Sequence, residues 1–183
     1  MENKQTGLEF SNVKEGDHPR MKQLVQRAQR GDAEAFVQLM EANKQAVYQV
    51  VRGYFNQPMD AEDILSETVL TCWEQLPRLR KPEFFKTWMI RIAINKCNDL
   101  LRQRKKVVPL EDVPEPVTTM GEGLPELLDR LDRQTRVILI LHYAQGYTTR
   151  EIAKMLEMPH GTVTSKLKRG RDKLAKQMEE ESV

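Results

Sequence analysis

The chain has 183 residues, of which 39% are hydrophobic and 31% charged, and its formal net charge is +2. This length allows one domain or two small ones, and the high charged fraction suits small helical units with much surface. The chain has two cysteines, Cys72 and Cys97, far apart in sequence, which argues against a disulfide framework and favours a reducing compartment. Because the N-terminus is polar and apolar runs are short, we expect a soluble, cytoplasmic protein without membrane insertion.

Helical periodicity begins at Met21, after a lead-in of residues 1–20 that has no sustained pattern and is predicted to be flexible. The RGD triplet at 30–32 interrupts the first helix. Asp32, at its end, is predicted to be the N-cap of the next one. That helix, over 33–55, is long and amphipathic, with apolar residues at spacings of three, four and seven.

A second capped helix is predicted over 61–76, with Asp60 as its N-cap after the turn at 56–60. The helix is acidic and contains no basic residue. Its acidic side chains are Glu62, Asp63, Glu67 and Glu74. Pro77 and Pro82 then frame a loop.

The segment FFKTWMIRIAINKCNDLLRQRKK (84–106) is predicted to form one helix with two different faces. Residues 80–106 hold nine Lys or Arg against two acidic residues. A helical wheel separates a broad apolar arc from a polar stripe made of Thr87, Arg91, Asn95, Asn98 and Arg102. Such a stripe suits unstacked bases and phosphates, and the basic end, which includes Arg104, suits phosphates. Phe85 and Ile92 are expected in the core, whereas Trp88 lies at the stripe's edge and fits either core or DNA.

The composition changes at 107–123, which contains three prolines, two glycines and four acidic residues and no basic one. This pattern predicts a flexible linker between domains, whose prolines keep the chain extended and locally stiff. Two small helical domains, 21–106 and 124–178, would flank it, followed by an acidic tail at 179–183. Because no stretch shows strand-like alternation, the predicted fold class is all-α.

The strongest local signal lies in residues 147–174, where two helical patterns flank the MPHG turn. Apolar residues of the first, such as Ile152, are spaced to pack against Val163 and Leu167 of the second, which is the helix-turn-helix arrangement. Residues 159–178 carry six Lys or Arg against one Asp. We predict DNA contacts from hydroxyl and basic side chains of the second helix, namely Thr162, Thr164, Ser165, Lys168, Arg169 and Arg171. The alternative is an ordinary solvated face of a terminal helix.

Nothing in the sequence predicts an enzyme. His18, His142 and His160 have no neighbours at metal-ligand spacing, and no phosphate loop or nucleophile motif occurs. We therefore expect no catalytic residue, no metal and no cofactor.

Three segments together resemble the two-domain bacterial RNA polymerase sigma factors of the extracytoplasmic-function group. DAEDILSETVLTCWEQL resembles their acidic helix that docks on the polymerase, and the segment at 84–106 resembles F-x-T-W-L-x-R-I-A-x-N-x-x-x-D-x-L-R, which recognises the −10 element. REIAKMLEMPHGTVTSKLKRGRDKL resembles their −35-reading helix-turn-helix. The resemblance runs from about Met21 to Met178.

The resemblance implies a protein that binds core RNA polymerase and promoter DNA and that an anti-sigma factor could mask. It implies polymerase docking around Asp60, Asp63, Glu67 and Glu74. The −10 positions are Trp88, Arg91, Asn95, Asp99 and Arg102, and the −35 positions are Thr164, Ser165, Lys168, Arg169 and Arg171. Two residues depart from the family pattern: Thr164 stands where Lys or Arg is frequent, and Gly170 where Ala is frequent.

Two other functions are compatible with the residues alone. A conventional helix-turn-helix regulator would bind duplex DNA without polymerase and show paired half-sites. A helical adaptor would have no nucleic-acid role, and neutralising Lys168 and Arg169 would not affect it.

Overall fold

The computed structural model describes residues 18–107 and 128–181, and within them every regular element is helical. The first stretch, here called the first bundle, contains α1 (His18–Gln29), α2 (Ala33–Tyr54), α3 (Pro58–Gln75) and α4 (Phe85–Val107). The second bundle contains α5 (Arg133–Leu139), a π-turn (Ile140–Ala144), α6 (Thr149–Met155) and α7 (His160–Glu181). The all-α fold class is confirmed.

The first bundle is organised around α2, which packs against α1, α3 and α4. Asp32 is the N-cap of α2 as predicted, because its carboxylate accepts a hydrogen bond from the Ala35 amide at 3.0 Å. Gly31, at φ 92°, makes the turn that separates α1 from this cap. Leu39 and Val47 of α2 are fully buried, and each such side chain contributes about 1.5–3 kcal/mol.

The second bundle is closed by caps and one sharp turn. Asp132 caps α5 and Thr148 caps α6, the latter in a reciprocal capping box with Glu151. Gly146, at φ 76°, is the C′ residue that follows the π-turn, a position where glycine is favoured. Helix α7 then packs against α5 and α6.

The two bundles pack on each other and share one hydrophobic core. Helix α2 lies against α5 and the π-turn. Val137 and Leu141 of the second bundle are buried in the same apolar cluster as Val50 and Phe55 of the first.

Several predicted boundaries differ from the structure. Helix α1 begins at His18, inside the predicted lead-in, and α7 continues to Glu181, so the predicted tail at 179–183 is helical where it is described. Asp60 does not cap α3, because the helix begins at Pro58 with Gln57 as its cap residue. The rest of the lead-in and the linker from residue 108 lie outside the described residues. Within the described ranges, no helix has both the length and the apolar character that a membrane span requires.

Candidate nucleic-acid interface

Helices α6 and α7 form the predicted helix-turn-helix. Ile152 of α6 and Val163 of α7 have no exposed surface, and Leu156 and Leu167 pack partly buried against the same core. Glu157 adopts φ 52° between the helices, and the Met158 amide donates to the Ala153 carbonyl at 2.9 Å. The apolar residues of α7 therefore face inward near its start, whereas Met178, near its end, is 55% exposed.

The outer face of α7 carries the side chains predicted to contact DNA. Thr162 is half-buried, and the others are exposed: Thr164, Ser165, Lys168, Arg169 and Arg171. The Thr164 hydroxyl donates to the His160 carbonyl at 3.0 Å, and the Ser165 hydroxyl donates to the Thr162 carbonyl at 3.0 Å. These hydrogen bonds use the hydroxyl protons, so each oxygen still has lone pairs that can accept a hydrogen bond from a base.

Two lysines of α7 bind groups near the start of α5 instead. Lys166 Nζ lies 3.3 Å from an Asp132 carboxylate oxygen, and Lys173 Nζ donates to the Arg130 carbonyl at 2.9 Å. Lys166 is largely covered, with a side-chain exposure of 20%. These two lysines therefore orient α7, while Lys168 and Arg169 face solvent.

His160, which sequence reasoning treated as an isolated polar residue, connects the two helices of the motif. Its Nε2 shares a hydrogen bond of 2.8 Å with the Thr149 hydroxyl. His160 begins α7 and Thr149 begins α6, so the pair joins the two helix starts. The sequence signal for this link was the position of His160, which lies in the turn directly before Gly161, Thr162 and Val163.

The polar stripe of α4 is only partly exposed. Asn95 and Arg102 are exposed, and Arg102 pairs with Asp99 at 3.2 Å; Arg91 and Asn98 are half-buried. Thr87 was expected to face outward with them, but it is buried, with 6% exposure, because its hydroxyl shares a 3.0 Å hydrogen bond with that of Tyr147.

Trp88 lies at the boundary between the core and the surface, which are the two positions that the sequence left open for it. It is half-buried and packs against the core, with its ring 5.8 Å from that of Phe85. Phe85 is fully buried and Ile92 packs partly buried on the core, as expected. The indole of Trp88 therefore contributes to packing and keeps an exposed part at the stripe's edge.

Arg104 and Asp60, predicted to bind different partners, bind each other. Arg104 donates to the Asp60 carboxylate at 2.6 Å and lies 5.5 Å from the centre of the Phe55 ring. The Asp60 side chain is only 18% exposed. The pair thus joins the start of α3 to the end of α4.

The outer face of α3 combines acidic and apolar side chains. Asp63, Glu67 and Glu74 are exposed on it, as are three large apolar residues that sequence reasoning did not assign to a site: Met59, Leu70 and Trp73. The Trp73 ring packs edge-on against Phe36 at 4.9 Å, which fixes its orientation. Exposed apolar residues rimmed by charges are typical of a protein-binding surface.

The two thiols are unsuited to chemistry. Burial raises the pKa of Cys72 to about 12 and also raises the pKa of Cys97. Since the thiolate is the reactive form, both cysteines serve packing.

Comparison with known proteins connects these surfaces to one family. Residues 39–107, which include α3 and α4, match sigma-70 region 2, and residues 122–174, which include the helix-turn-helix, match sigma-70 region 4. The RNA polymerase sigma factor NccH of Alcaligenes xylosoxydans xylosoxydans is 32% identical over 168 residues, covering 82% of this chain and 90% of the relative. The chain belongs to the sigma-70 family, in its extracytoplasmic-function group. Sigma factors are non-enzymatic initiation factors that direct RNA polymerase to promoters.

Other sigma factors resemble this one over most of their length. The ECF sigma factor SigW of Bacillus subtilis is 24% identical over 180 residues, 86% of this chain and 96% of the relative. Among solved structures, CnrH in complex with the cytosolic domain of CnrY has a TM-score of 0.62 at 23% identity, covering 87% of this chain and 97% of that one. RpoE of Bartonella quintana, in complex with the anti-sigma factor NepR, has a TM-score of 0.64 at 21% identity, covering 79% and 96%.

Proposed function

We propose that this sigma factor binds core RNA polymerase through α3, reads the −35 element through α7 and captures the −10 element through α4. The observation that carries the proposal is the presence of both sigma regions in one chain, each with an exposed cationic helix face. The protein would act in the cytoplasm with its polymerase and perform no chemistry. A regulator that acts on duplex DNA alone is disfavoured, because it does not bind polymerase and the acidic and apolar face of α3 would then have no role.

The −35 assignment is supported by the exposure of Thr164, Ser165, Lys168, Arg169 and Arg171 on the second helix of a helix-turn-helix. Small hydroxyls at the start of such a helix can reach base edges, while Lys and Arg bind phosphates or guanines. Thr162 stands at the edge of this face. The exposed Thr164 hydroxyl supports a short-range contact at a position where a longer cation is frequent in the family.

The −10 assignment is supported by the exposed amide and guanidinium groups of Asn95 and Arg102, with Arg91, Asn98 and the edge of Trp88 beside them. Separated bases can stack on an indole and hydrogen-bond to amides, while the cations attract the backbone. Because Arg104 binds Asp60, its predicted phosphate contact would require that pair to part.

The docking assignment is supported by the exposed acidic residues Asp63, Glu67 and Glu74, which lie beside the exposed Leu70 and Trp73 on α3. Apolar side chains supply contact area at the centre of an interface, and the acidic rim selects a basic partner. Asp60 contributes indirectly, by joining α3 to α4. The anti-sigma factor NepR binds RpoE of Bartonella quintana, and we propose that a partner of this kind competes for these surfaces.

The test is run-off transcription across a promoter library with core polymerase, with and without this protein. We expect promoter-specific transcripts only when both are present. The double variant Lys168→Ala/Arg169→Ala should lose transcripts that depend on a −35 element. Lys176→Ala, which removes a cation farther along α7 with 77% side-chain exposure, is the matched control and should retain them. Absence of both transcripts and a complex with core would overturn the proposal.

A further inference from the structure

Gln29, the last residue of α1, reaches the connection between α3 and α4. Its side-chain nitrogen donates to the Leu76 carbonyl at 3.0 Å and to the Leu79 carbonyl at 2.8 Å. Carbonyl oxygens only accept hydrogen bonds, so the nitrogen of the Gln29 amide must face them rather than its oxygen. One side chain therefore ties the end of α1 to backbone groups 47 and 50 positions later in the chain.

The connection, defined here as residues 76–84, is held at its first turn by more than this amide. It contains two 3-10 turns, Leu76–Arg78 and Pro82–Phe84, and α1 packs against both. Leu76 and Leu79 are buried, and the Leu79 amide donates to the Leu76 carbonyl at 3.0 Å. The Leu76 carbonyl thus accepts from both Leu79 and Gln29, which uses its two lone pairs.

This anchoring orients the cations of the connection outward. Leu79 has an extended backbone, with φ −69° and ψ 108°, and in an extended chain neighbouring side chains point to opposite sides. Because the Leu79 side chain is buried, Arg78 and Arg80 on either side of it are exposed. Lys81 is exposed as well, with its Nζ 5.6 Å from the centre of the Phe84 ring. Three cations therefore lie on the surface of a segment whose backbone Gln29 holds.

The connection leads directly into the helix assigned to the −10 element. The amide of Phe85, where α4 begins, donates to the Pro82 carbonyl, so the second 3-10 turn runs into the helix without a break. Trp88 lies in the first turn of α4, with its ring 5.8 Å from that of Phe85. The position of this indole relative to Arg78 and Arg80 therefore depends on the path of the connection.

We propose that Gln29 is a positioning residue for −10 capture. The proposal rests on the proposed function. By holding two carbonyls of the connection, Gln29 keeps its exposed cations and Trp88 in one arrangement before DNA arrives. The cations attract phosphates, and the indole offers a stacking surface to a separated base. Gln29 acts through the connection, which gives α1 a role in promoter opening.

The first test measures the anchoring in the free full-length protein, without polymerase or DNA. Trypsin cuts after Arg78 and Arg80 when the connection leaves its native path, and mass spectrometry identifies these cuts. Gln29→Met keeps the side-chain length and removes the donor, and Gln26→Met, at an exposed position of the same helix, is the matched control. Since a typical hydrogen bond shifts an equilibrium roughly fivefold, loss of two should accelerate both cuts by roughly tenfold or more. The control should be cut at the wild-type rate.

The need for a donor distinguishes this role from filling space. Gln29→Lys restores a nitrogen that donates hydrogen bonds, so its connection should be cut at a rate close to that of wild type. Gln29→Glu has the size of glutamine, but its ionised carboxylate only accepts, so it should resemble Gln29→Met. It provides the second variant without a donor if Gln29→Met does not fold.

The second test uses holoenzyme and a promoter recovered from the run-off library. Open-complex formation, followed by permanganate reactivity of thymines, should be roughly tenfold lower in Gln29→Met than in Gln26→Met. Gln29→Lys should recover it. Core-polymerase affinity should be equal in the two methionine variants, because neither residue lies on the docking face of α3. Equal loss of core binding and of opening would indicate a purely structural contact and overturn the positioning role.

Three further results separate failure of this inference from failure of the proposed function. Unchanged trypsin cleavage in both Gln29→Met and Gln29→Glu would overturn the inference, whatever the polymerase assays show. Faster cleavage with normal open-complex formation would also overturn it and leave the sigma function intact. If the wild-type protein formed neither a complex with core nor a transcript, the proposed function and the role in −10 capture would both fall, while faster cleavage in the variants would still establish the contact itself.

Discussion

Gly170 of α7 lies directly against Thr135 of α5. A Cβ built on Gly170 would be 2.5 Å from Thr135 Cγ2 and 3.0 Å from Leu139 Cδ1. Thr135 cannot easily move away, because it is buried and its hydroxyl donates to Asp132 at 2.6 Å. The glycine that replaces the family's frequent alanine is therefore matched to a threonine on the facing helix.

Gly170→Ala should destabilise this protein although alanine favours helices. The propensity gain is about 1 kcal/mol, whereas inserting a methyl group into a filled contact costs about 1–3 kcal/mol. We expect a net loss of about 1 kcal/mol in the free energy of unfolding, measured by urea titration. Gly161→Ala is the control, since nothing lies within 4 Å of a Cβ there, and it should not destabilise. Pairing Gly170→Ala with Thr135→Ser should restore stability; no recovery would contradict the contact.

The Asp132 carboxylate should stabilise the second bundle more at neutral pH than at acidic pH. Partial burial works to raise its pKa, but hydrogen bonds from Thr135 and Lys166 lower it below the ordinary value of 3.8. A lowered pKa in the folded state means that the stabilisation is present above the unfolded value and is lost as pH falls through the folded value. Since the side chain is 61% exposed, the contribution should be below about 1 kcal/mol.

The measurement is the unfolding free energy of Asp132→Asn against wild type between neutral pH and pH 2. The difference should be largest at neutral pH and shrink below the ordinary pKa. Asp172→Asn removes a similarly exposed carboxylate from α7 and controls for net charge. A difference that grew on acidification would contradict the assignment.

Trp88→Ala should affect both stability and promoter opening, because the indole packs on Phe85 and is also partly exposed. A half-buried ring should cost less than the 3–5 kcal/mol of a fully buried one, so we expect about 1–2 kcal/mol. Open-complex formation, followed by permanganate reactivity of thymines, should fall more than core binding. Equal loss of both would indicate a purely structural tryptophan. Compared with Trp88→Ala, Trp88→Phe should restore more of the lost stability than of the lost open-complex formation.

Leu70→Arg should weaken core-polymerase binding by roughly tenfold or more, because it places a cation at the centre of an apolar contact. Leu70 is 65% exposed, so the free protein should keep its melting temperature. Met178→Arg, at a 55% exposed position of α7, is the matched control and should bind core normally. Equal core affinity of the two variants would show that α3 is not part of the docking surface.

Lys168→Ala should lower the salt dependence of −35 DNA binding by holoenzyme, reducing the slope of log K against log salt by about 1. Lys166→Ala provides the contrast within one helix turn, because its ammonium group lies at Asp132. We expect it to change stability and leave the slope unaltered. The reverse pattern would mean that Lys166 is the phosphate contact.

Much of the fold follows from local sequence signals. The cap at Asp32 involves neighbouring residues only, so its prediction needed nothing beyond the local sequence. The cap predicted at Asp60 was wrong, because α3 begins two residues earlier, at Pro58. The Asp60 carboxylate instead binds Arg104, 44 positions away, and a sequence pattern assigns no partner at that distance.

The sequence by itself determined an all-α chain, a helix-turn-helix, two cationic helix faces and the family to which they belong. Periodicity and capping act within a few residues, and family motifs are read in linear order. Tertiary structure alone decided that Thr87 is covered by Tyr147, that Gly53 and Gly170 are contact positions, and that Trp73 is exposed beside Phe36. The physical reason is that burial and close contact depend on which distant helix packs against a side chain, and a helical wheel shows only the residue's own helix.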